Sequence, residues 1–210
     1  MIADPHINRP GSGLLTDFTD GSLINEHEPF SVDPHSLKIS LYYDDLEITN
    51  EKTRRKHKLA MFYYQLANIY LAYRSKLKTI HLIAIVETKC LKKYGVDMIL
   101  KPFIHELNVL GEDYGYNFRI NGGNICLRGP LLAAVADTPA SQFLGAFKES
   151  VGGAKRKFRH CMADFESMQT LFTEEDFDLR SKEMHEYHLE QLHNNPELCN
   201  HYSKEYGVVK

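Results

Sequence analysis

The sequence predicts an α/β protein in which strand-forming segments precede an acidic, all-helical tail. Three apolar runs of strand length occur in the first half of the chain, at 37–43, 59–64 and 79–86. The first run alternates apolar and polar residues before it becomes wholly apolar, which is typical of a strand entering a buried sheet. Beyond Gly152 and Gly153 the sequence becomes acidic and contains no further strand-like run.

Length and composition agree with an ordinary globular protein. The 210 residues, 43% hydrophobic and 25% charged, allow one domain or one domain with a small appendage. No apolar stretch approaches the roughly 20 residues that cross a bilayer, and the N terminus lacks a secretory-signal pattern, so we expect no membrane association. The four cysteines have no disulfide-framework spacing, which indicates a reducing intracellular compartment.

The segments before and between the first strands have distinct compositions. Residues 1–36 are rich in Pro, Gly, Asp and Asn without a sustained period, so we expect an extended lead-in with one short strand around Leu14–Phe18. The basic segment 52–58 predicts a loop. Because this loop is short, the runs 37–43 and 59–64 are expected to pair as antiparallel neighbours.

Helices and a hairpin are expected in the middle of the chain. Two helices are predicted over 87–94 and 96–110, each ended by a glycine, and a proline kinks or breaks the second. The segment 116–127 resembles a hairpin around Asn-Gly-Gly-Asn. The apolar run 131–136 is a buried strand or a helix, and a proline in a first helical turn begins a helix over 140–147.

Acidic residues follow two of the apolar runs. Asp44 and Asp45 come directly after the first, and Asp137 follows the run 131–136. Carboxylates beside a core repel one another and are costly to desolvate, so their concentration indicates a bound cation. Mg²⁺ prefers carboxylate oxygens, and two-metal phosphoryl transfer uses such a site. Alternatively, Asp137 caps the following helix and Asp44-Asp45 lies in a solvated turn.

The acidic tail contains residues of the types that bind zinc. A capping-box pattern predicts a helix over 173–193, in which His185 and His188 share one face. Cys161 precedes this helix, and Cys and His are the side chains that zinc prefers. No Cys-x-x-Cys is present, because position 158 is Phe. The alternative is that both histidines face solvent on an acidic helix.

Basic residues are concentrated in two short runs, although the net charge is −3. They are Lys52, Arg54, Arg55, Lys56 and Lys58 in the first run and Lys155, Arg156, Lys157 and Arg159 in the second. Such runs contact the phosphates of nucleic acids or act as nuclear import signals. Alternatively, each run is a solvated loop.

Several segments, taken in order, resemble the catalytic region of CACTA (En/Spm-like) DNA transposases, in a form found in transposon-derived genes. They are Leu41–Asn50, Arg55–Leu59, Tyr73–Leu77, Lys93–Gly95, Ile99–Phe103, Leu127–Gly129, Ala136–Ser141 and Leu144–Lys157. The resemblance covers about residues 14–207. Its most specific part is Asp-Thr-Pro-Ala from Asp137, together with Gly-Gly-Ala-Lys-Arg-Lys, which ends at Lys157.

The resemblance implies an RNase H-like mixed sheet flanked by helices and Mg²⁺-dependent DNA strand cleavage and transfer by three acids. Asp44 or Asp45, with Asp45 preferred, matches the first acid, and Asp137 matches the second. DNA is then the implied partner and the nucleus the implied location; the residues alone would place the chain in the cytoplasm.

The sequence departs from the family pattern at two places. Phe158 stands where the first cysteine of a zinc-binding insertion is expected, so only Cys161, His185 and His188 remain and zinc binding should be weakened. No residue up to Lys210 is matched to the third acid of the family. We therefore expect a lead-in over 1–36, a partial RNase H-like domain without its last strand, and a remnant insertion.

The expected domain bounds are 37–150 for the partial RNase H-like domain and 151–210 for the basic loop and acidic helical tail. Such a chain is expected to be catalytically inactive by itself. The alternatives are a non-catalytic module that binds DNA or protein, and a gene fragment without a selected function. An uncovered sheet edge would favour self-association or pairing with an intact relative.

Overall fold

The computed structural model describes residues 17–49, 56–149 and 151–209. The described chain divides into two compact units, one that ends at Val135 and one that begins at Ala136. This division falls earlier than the predicted boundary at residue 150. The reason is local to the second unit, where residues 146–148 pair with residues 207–209 through hydrogen bonds of 2.8 Å between backbone groups.

The first unit contains a four-stranded mixed sheet and a separate hairpin. Its strands are β1 (Ile39–Thr49), β2 (Lys56–Leu66), β3 (His81–Glu87), β4 (Tyr116–Ile120), β5 (Gly123–Leu127) and β6 (Leu131–Ala136). The sheet order is β3-β2-β1-β6, and both pairs made by β2 are antiparallel. The one parallel pair is β1 with β6. The apolar run 131–136 is therefore a strand.

The helices are distributed along both units. They are α1 (Ser22–Glu26), α2 (Glu28–Val32), α3 (Leu71–Arg74), α4 (Thr88–Tyr94), α5 (Asp97–Gly111), α6 (Thr138–Leu144), α7 (Ser167–Thr170), α8 (Lys182–Asn194) and α9 (Cys199–Tyr206). Short 3-10 helices occupy Phe18–Asp20, Leu77–Thr79, Val151–Gly153, Glu174–Asp176 and Pro196–Leu198. None of the helices in the described part of the chain is long and apolar enough to span a membrane.

Several predicted elements are confirmed. The helices over 87–94 and 96–110 correspond to α4 and α5, and α5 continues through Pro102. The predicted hairpin is β4–β5, whose turn residues Asn121 and Gly122 both have positive φ, of 51° and 84°. Two positive φ values are required by a type I′ turn, and the Asn-Gly pair is its usual sequence.

The lead-in and the first strand differ from expectation. The strand predicted at Leu14–Phe18 lies largely outside the described residues, and Phe18 begins a 3-10 helix. From there to Val32 the lead-in forms short helices rather than extended chain. The first strand does not end before the acids: β1 continues to Thr49 because each of its residues finds a backbone partner on β2.

The helix predicted over 173–193 forms, but it begins later than expected. The capping box at Thr173 closes only the 3-10 turn Glu174–Asp176, and α8 begins later, after its own N-cap, Ser181. The chain between them is held extended by backbone bonds: the Met162 N–H donates to the Asp178 carbonyl at 2.8 Å, and the Arg180 N–H donates to the His160 carbonyl at 2.9 Å. A helix through this segment would lose both bonds.

One face of the sheet is covered by helices. Tyr43 and Phe62 are buried on this face, with ring centroids 4.7 Å apart, and α4 packs on β2 and β3. Alternation along the strands places Leu46, Ile48 and Ile85 on the opposite face, where each is between 45% and 52% exposed. The sheet therefore has one buried face and one partly open face.

Candidate functional site

Asp45 lies on the helix-covered side of β1. Its Oδ1 atom accepts hydrogen bonds from the hydroxyl of Tyr43, at 3.2 Å, and from the hydroxyl of Thr88, at 3.0 Å. Tyr43 precedes it by two residues on the same face, and Thr88 is the buried first residue of α4. The carboxylate itself is exposed to solvent. It is therefore oriented by two hydroxyl donors while it stays accessible to a ligand.

Asp44 lies on the opposite face of the same strand, because successive side chains alternate. On that face the rings of Tyr42 and Tyr63 stack at 5.1 Å with an interplanar angle of 2°. Burial, the carboxylate of Asp44 and the neighbouring Tyr42 together raise the pKa of Tyr63. The two adjacent acids, which the residues alone did not distinguish, thus have different surroundings, and they cannot serve one site on one face.

Asp137 directly follows β6 and caps α6. Its Oδ1 atom accepts a hydrogen bond from the backbone N–H of Ala140 at 2.8 Å, and Pro139 stands in the first turn. The capping role, one of the two interpretations of this residue, is therefore present in the structure. A cap uses one carboxylate oxygen and does not prevent the other from binding a cation. Asp137 belongs to the second unit, whereas Asp44 and Asp45 belong to the first.

The three candidate zinc ligands all lie in the second unit. Cys161 pairs with Leu179 in an isolated β-bridge. The ring of His188 is buried and stacks on Tyr206 with centroids 3.9 Å apart. His185 is half-buried, and its Nδ1 atom has no hydrogen-bond partner in the described part of the chain. The alternative that both histidines face solvent is therefore wrong.

Arg180 lies among these residues. Its Nη1 atom is 3.5 Å from Nδ1 of His188. Its Nη2 group donates to three backbone carbonyl oxygens, those of Arg156, Phe158 and Tyr206, at 3.4, 3.3 and 3.1 Å. Sequence reasoning missed this residue. The sequence offers only a weak indication of its role, which is that Arg180 is one of two basic residues in the acidic stretch 164–190.

The three candidate zinc ligands are not grouped as metal ligands in the described residues. Within residues 17–49, 56–149 and 151–209, no group of three or more His, Cys, Asp or Glu side chains is arranged to hold a metal. Burial and the charge of Arg180 lower the pKa of both His185 and His188, and a hydrogen bond to the backbone of Gly145 only partly offsets this for His185. Each histidine therefore already has a cation, Arg180, as its neighbour.

The first basic run is only partly described. Lys52, Arg54 and Arg55 lie outside the described residues. Lys56 and Lys58 belong to β2 rather than to a loop, and Lys58 is exposed opposite Glu47 in the β1–β2 ladder. A basic residue opposite an acidic one across two strands stabilises the pair, which explains why the strand reaches into the charged segment.

The second basic run is fixed to α9. The backbone N–H groups of Lys155 and Arg156 donate to the carbonyls of Lys204 and Glu205, at 2.7 and 3.2 Å. The carboxylate of Glu205 also pairs with both basic side chains, at 3.4 Å each. Arg156 further donates to the carbonyl of Met162 at 3.0 Å. Arg156 is therefore a structural residue as well as a candidate phosphate contact.

Two further basic side chains of this run contact aromatic or imidazole rings. The ammonium group of Lys157 lies 5.1 Å from the centre of the Phe165 ring, and Arg159 donates through Nε to the ring of His160 at 3.0 Å. Both side chains are partly exposed. Because the backbone of the run is hydrogen-bonded, these charges are presented on an ordered surface.

Comparison with known proteins assigns neither a family nor a function to this chain. No protein-family model matches this sequence, and no curated protein matches it either. The function of this chain is therefore inferred from its fold and from the residues described above.

Proposed function

We propose that this chain derives from the catalytic region of a CACTA-type DNA transposase and that its mixed sheet is RNase H-like. The strand order β3-β2-β1-β6 carries the proposal. Three consecutive strands form an antiparallel meander, and a later strand returns to lie parallel to the first. This is the order that the family resemblance requires, with one acid on the first strand and another directly after the returning strand.

Asp45 is the better candidate for the first acid, and Asp137 is the candidate for the second. Asp45 is oriented by two hydroxyl groups on the covered face of β1, whereas Asp44 lies on the other face beside Tyr63. In the family reaction, acids at these two positions serve as ligands of Mg²⁺, which stabilises the attacking and leaving oxygens of phosphoryl transfer.

The chain by itself is proposed to be inactive in DNA cleavage. The family mechanism uses three acids, and the resemblance assigns only two of them to positions in these 210 residues. Two carboxylates bind a divalent ion loosely and do not clamp both oxygens of an in-line displacement.

A non-catalytic nucleic-acid-binding module is the second candidate. The observation that favours it is the second basic run, which is fixed to α9 by backbone hydrogen bonds and presents Lys157 and Arg159 at the surface. Cationic side chains on an ordered segment bind phosphates without sequence preference. A nuclear location accompanies this candidate. Self-association and pairing with an intact relative stay predictions.

Both candidates are tested by one pair of assays on the full chain. Supercoiled plasmid is incubated with the protein in Mg²⁺ or Mn²⁺, and binding to duplex DNA is measured by gel shift over a salt series. We expect binding that weakens steeply with salt and no metal-dependent nicking. Nicking that is lost in both Asp45→Asn and Asp137→Asn would show an active enzyme and contradict the proposed inactivity.

The basic surface needs a matched control. Lys157→Ala/Arg159→Ala removes two charges from the second basic run, and Lys101→Ala/Lys182→Ala removes two exposed charges from α5 and α8. The first double variant should weaken binding about tenfold and reduce the salt slope by about 2, whereas the control should change neither. Equal loss in both variants would reject the second basic run as the binding surface.

A further inference from the structure

One positively charged side chain, Arg180, bonds to several separated segments of the second unit. We propose that the guanidinium of Arg180 is the structural cation of this unit, in the position where the family resemblance implies zinc, and that the unit folds without metal. The inference does not depend on the proposed function, because it concerns how residues 136–209 are held together. It rests on what Arg180 contacts and on the surroundings of the three candidate ligands.

Arg180 joins three separate segments of the chain. The three carbonyl oxygens that its Nη2 group contacts belong to residues 24, 22 and 26 positions away, at Arg156, Phe158 and Tyr206. Its Nη1 atom adds His188 of α8 at 3.5 Å. One side chain therefore bonds to the second basic run, to α8 and to the end of α9. A structural metal performs the same role by holding ligands from distant segments.

Aromatic rings complete the surroundings of the guanidinium. The Arg180 side chain lies over the ring of Phe147, 5.2 Å from its centre, and this ring also packs against His185 at 4.4 Å. His188 stacks on Tyr206. Guanidinium groups are stabilised by ring faces and by carbonyl acceptors, and Arg180 contacts both, while its Nε atom is buried without a hydrogen-bond partner in the described part of the chain. Both histidines thus pack as aromatic side chains.

The backbone brings Cys161 next to the same charge. Leu179 pairs with Cys161, and the N–H of Arg180 donates to the carbonyl of His160 at 2.9 Å. Burial lowers the pKa of Arg180, and the neighbouring Cys161 opposes this effect. An arginine stays charged in proteins in spite of burial. A divalent ion among Cys161, His185 and His188 would therefore be placed beside a like charge that cannot be removed by deprotonation.

Gly207 provides independent evidence that the chain is shaped around this contact. It ends α9 with φ of +71°, and a Cβ atom at this position would lie 2.5 Å from the carbonyl oxygen of Arg156. That oxygen is one of the acceptors of Arg180. Only glycine therefore allows the end of α9 to approach the second basic run closely enough for Arg180 to reach both segments.

One feature favours a metal, and the experiment has to weigh it. The Nδ1 atom of His185 is buried without a hydrogen-bond partner in the described part of the chain. A zinc ligand would have such a nitrogen before the ion binds. The tests are therefore metal analysis of the full chain expressed with added Zn²⁺, and hydrogen exchange of the α8 and α9 amides with and without EDTA.

We expect zinc far below one ion per chain and no effect of EDTA on exchange. Arg180→Lys should lower the melting temperature by about 5 °C or more and speed exchange in α8 and α9, because lysine keeps the charge but loses the planar set of donors. Cys161→Ser should leave the amide exchange of α8 and α9 unchanged. The matched control is Lys182→Ala, which removes a neighbouring charge whose contact to Glu186 is exposed.

Near-stoichiometric zinc that is lost in Cys161→Ser, together with faster exchange in EDTA, would overturn the proposal. A measurement on the unmodified chain covers the case in which Arg180→Lys does not fold. In ¹⁵N NMR the Nη protons of Arg180 should exchange slowly and appear as separate signals, because they are hydrogen-bonded to carbonyls. Averaged, fast-exchanging Arg180 signals would equally contradict the structural role.

Discussion

Arg74 and Asp17 form a two-point ion pair across 57 residues of sequence. The guanidinium donates through Nη1 to Oδ1 at 2.7 Å and through Nη2 to Oδ2 at 2.6 Å, and the two side chains are only 15% and 24% exposed. Arg74 also donates through Nε to the carbonyl of Ile69 and lies over the ring of Phe18. This pair attaches the described part of the lead-in to α3.

Removal of this pair should destabilise the first unit. Because the pair is bidentate and mostly buried, Asp17→Asn should lower the free energy of unfolding by about 2 kcal/mol. The exposed pair of Lys89 with Glu87 is the control, and Lys89→Ala should leave stability nearly unchanged. Urea unfolding measures both. Equal effects of the two variants would mean that the Arg74–Asp17 pair is not formed in solution.

Asn68 extends the ladder of β1 and β2 beyond its last backbone pair. Its side chain is buried, accepts a hydrogen bond from the Lys38 N–H at 2.6 Å and donates to the Ser36 carbonyl at 2.9 Å. Asn68→Ala should cost about 2–3 kcal/mol of unfolding free energy, since two buried backbone groups lose their partners. Asn117→Ala, at an exposed position of β4, should be nearly neutral in the same urea titration.

The opposite placement of Asp44 and Asp45 predicts a selective effect on Tyr63. The pKa of Tyr63 is raised above its ordinary value of 10.0, by burial and then by Asp44. Asp44→Asn should lower this pKa toward 10.0, whereas Asp45→Asn should leave it unchanged. NMR titration of the Tyr63 ring, with Tyr63→Phe to assign the signal, measures the shift. An equal response to both substitutions would place the two acids on one face.

The same shift has a consequence for stability against pH. The unfolded chain ionises Tyr63 near 10.0, while the folded chain keeps it protonated to higher pH. The stabilisation is therefore fully present below pH 10 and is lost as the pH rises through the folded pKa. Tyr63→Phe should remove this part of the alkaline decline in urea stability. An unchanged decline would contradict the raised pKa.

Substitutions of Asp137 can separate its role as a helix cap from the effect of its negative charge. Asp137→Asn and Asp137→Ser retain a side-chain acceptor for the Ala140 N–H, so both should stay within about 0.5 kcal/mol of the parent chain, while Asp137→Ala should lose about 1 kcal/mol. Thermal unfolding measures these differences. If all three variants bind Mn²⁺ equally weakly, since each loses the same single charge, the carboxylate also serves as an ion ligand. If only Asp137→Ala differs from the parent chain in any assay, capping is its sole role.

Much of the secondary structure follows from local chemistry. The two strands at 37–43 and 59–64, the Asn-Gly turn of the hairpin, and α5 with its helical spacing are recognisable because neighbouring residues determine them. The extension of β1 through Asp44 and Asp45 is different, since charged residues do not favour a strand by themselves. The ladder to β2, which is a contact between segments, stabilises it.

The sequence by itself determined most of the strands and helices of the first unit after the lead-in, and which side chains carry charge. Only the tertiary structure decided that Asp44 and Asp45 face opposite sides of the sheet and that Arg180 stands among Cys161, His185 and His188. The physical reason is that the partners of Arg180 are 22 to 26 residues away from it. Such contacts exist only after the chain has folded, so no local pattern predicts them.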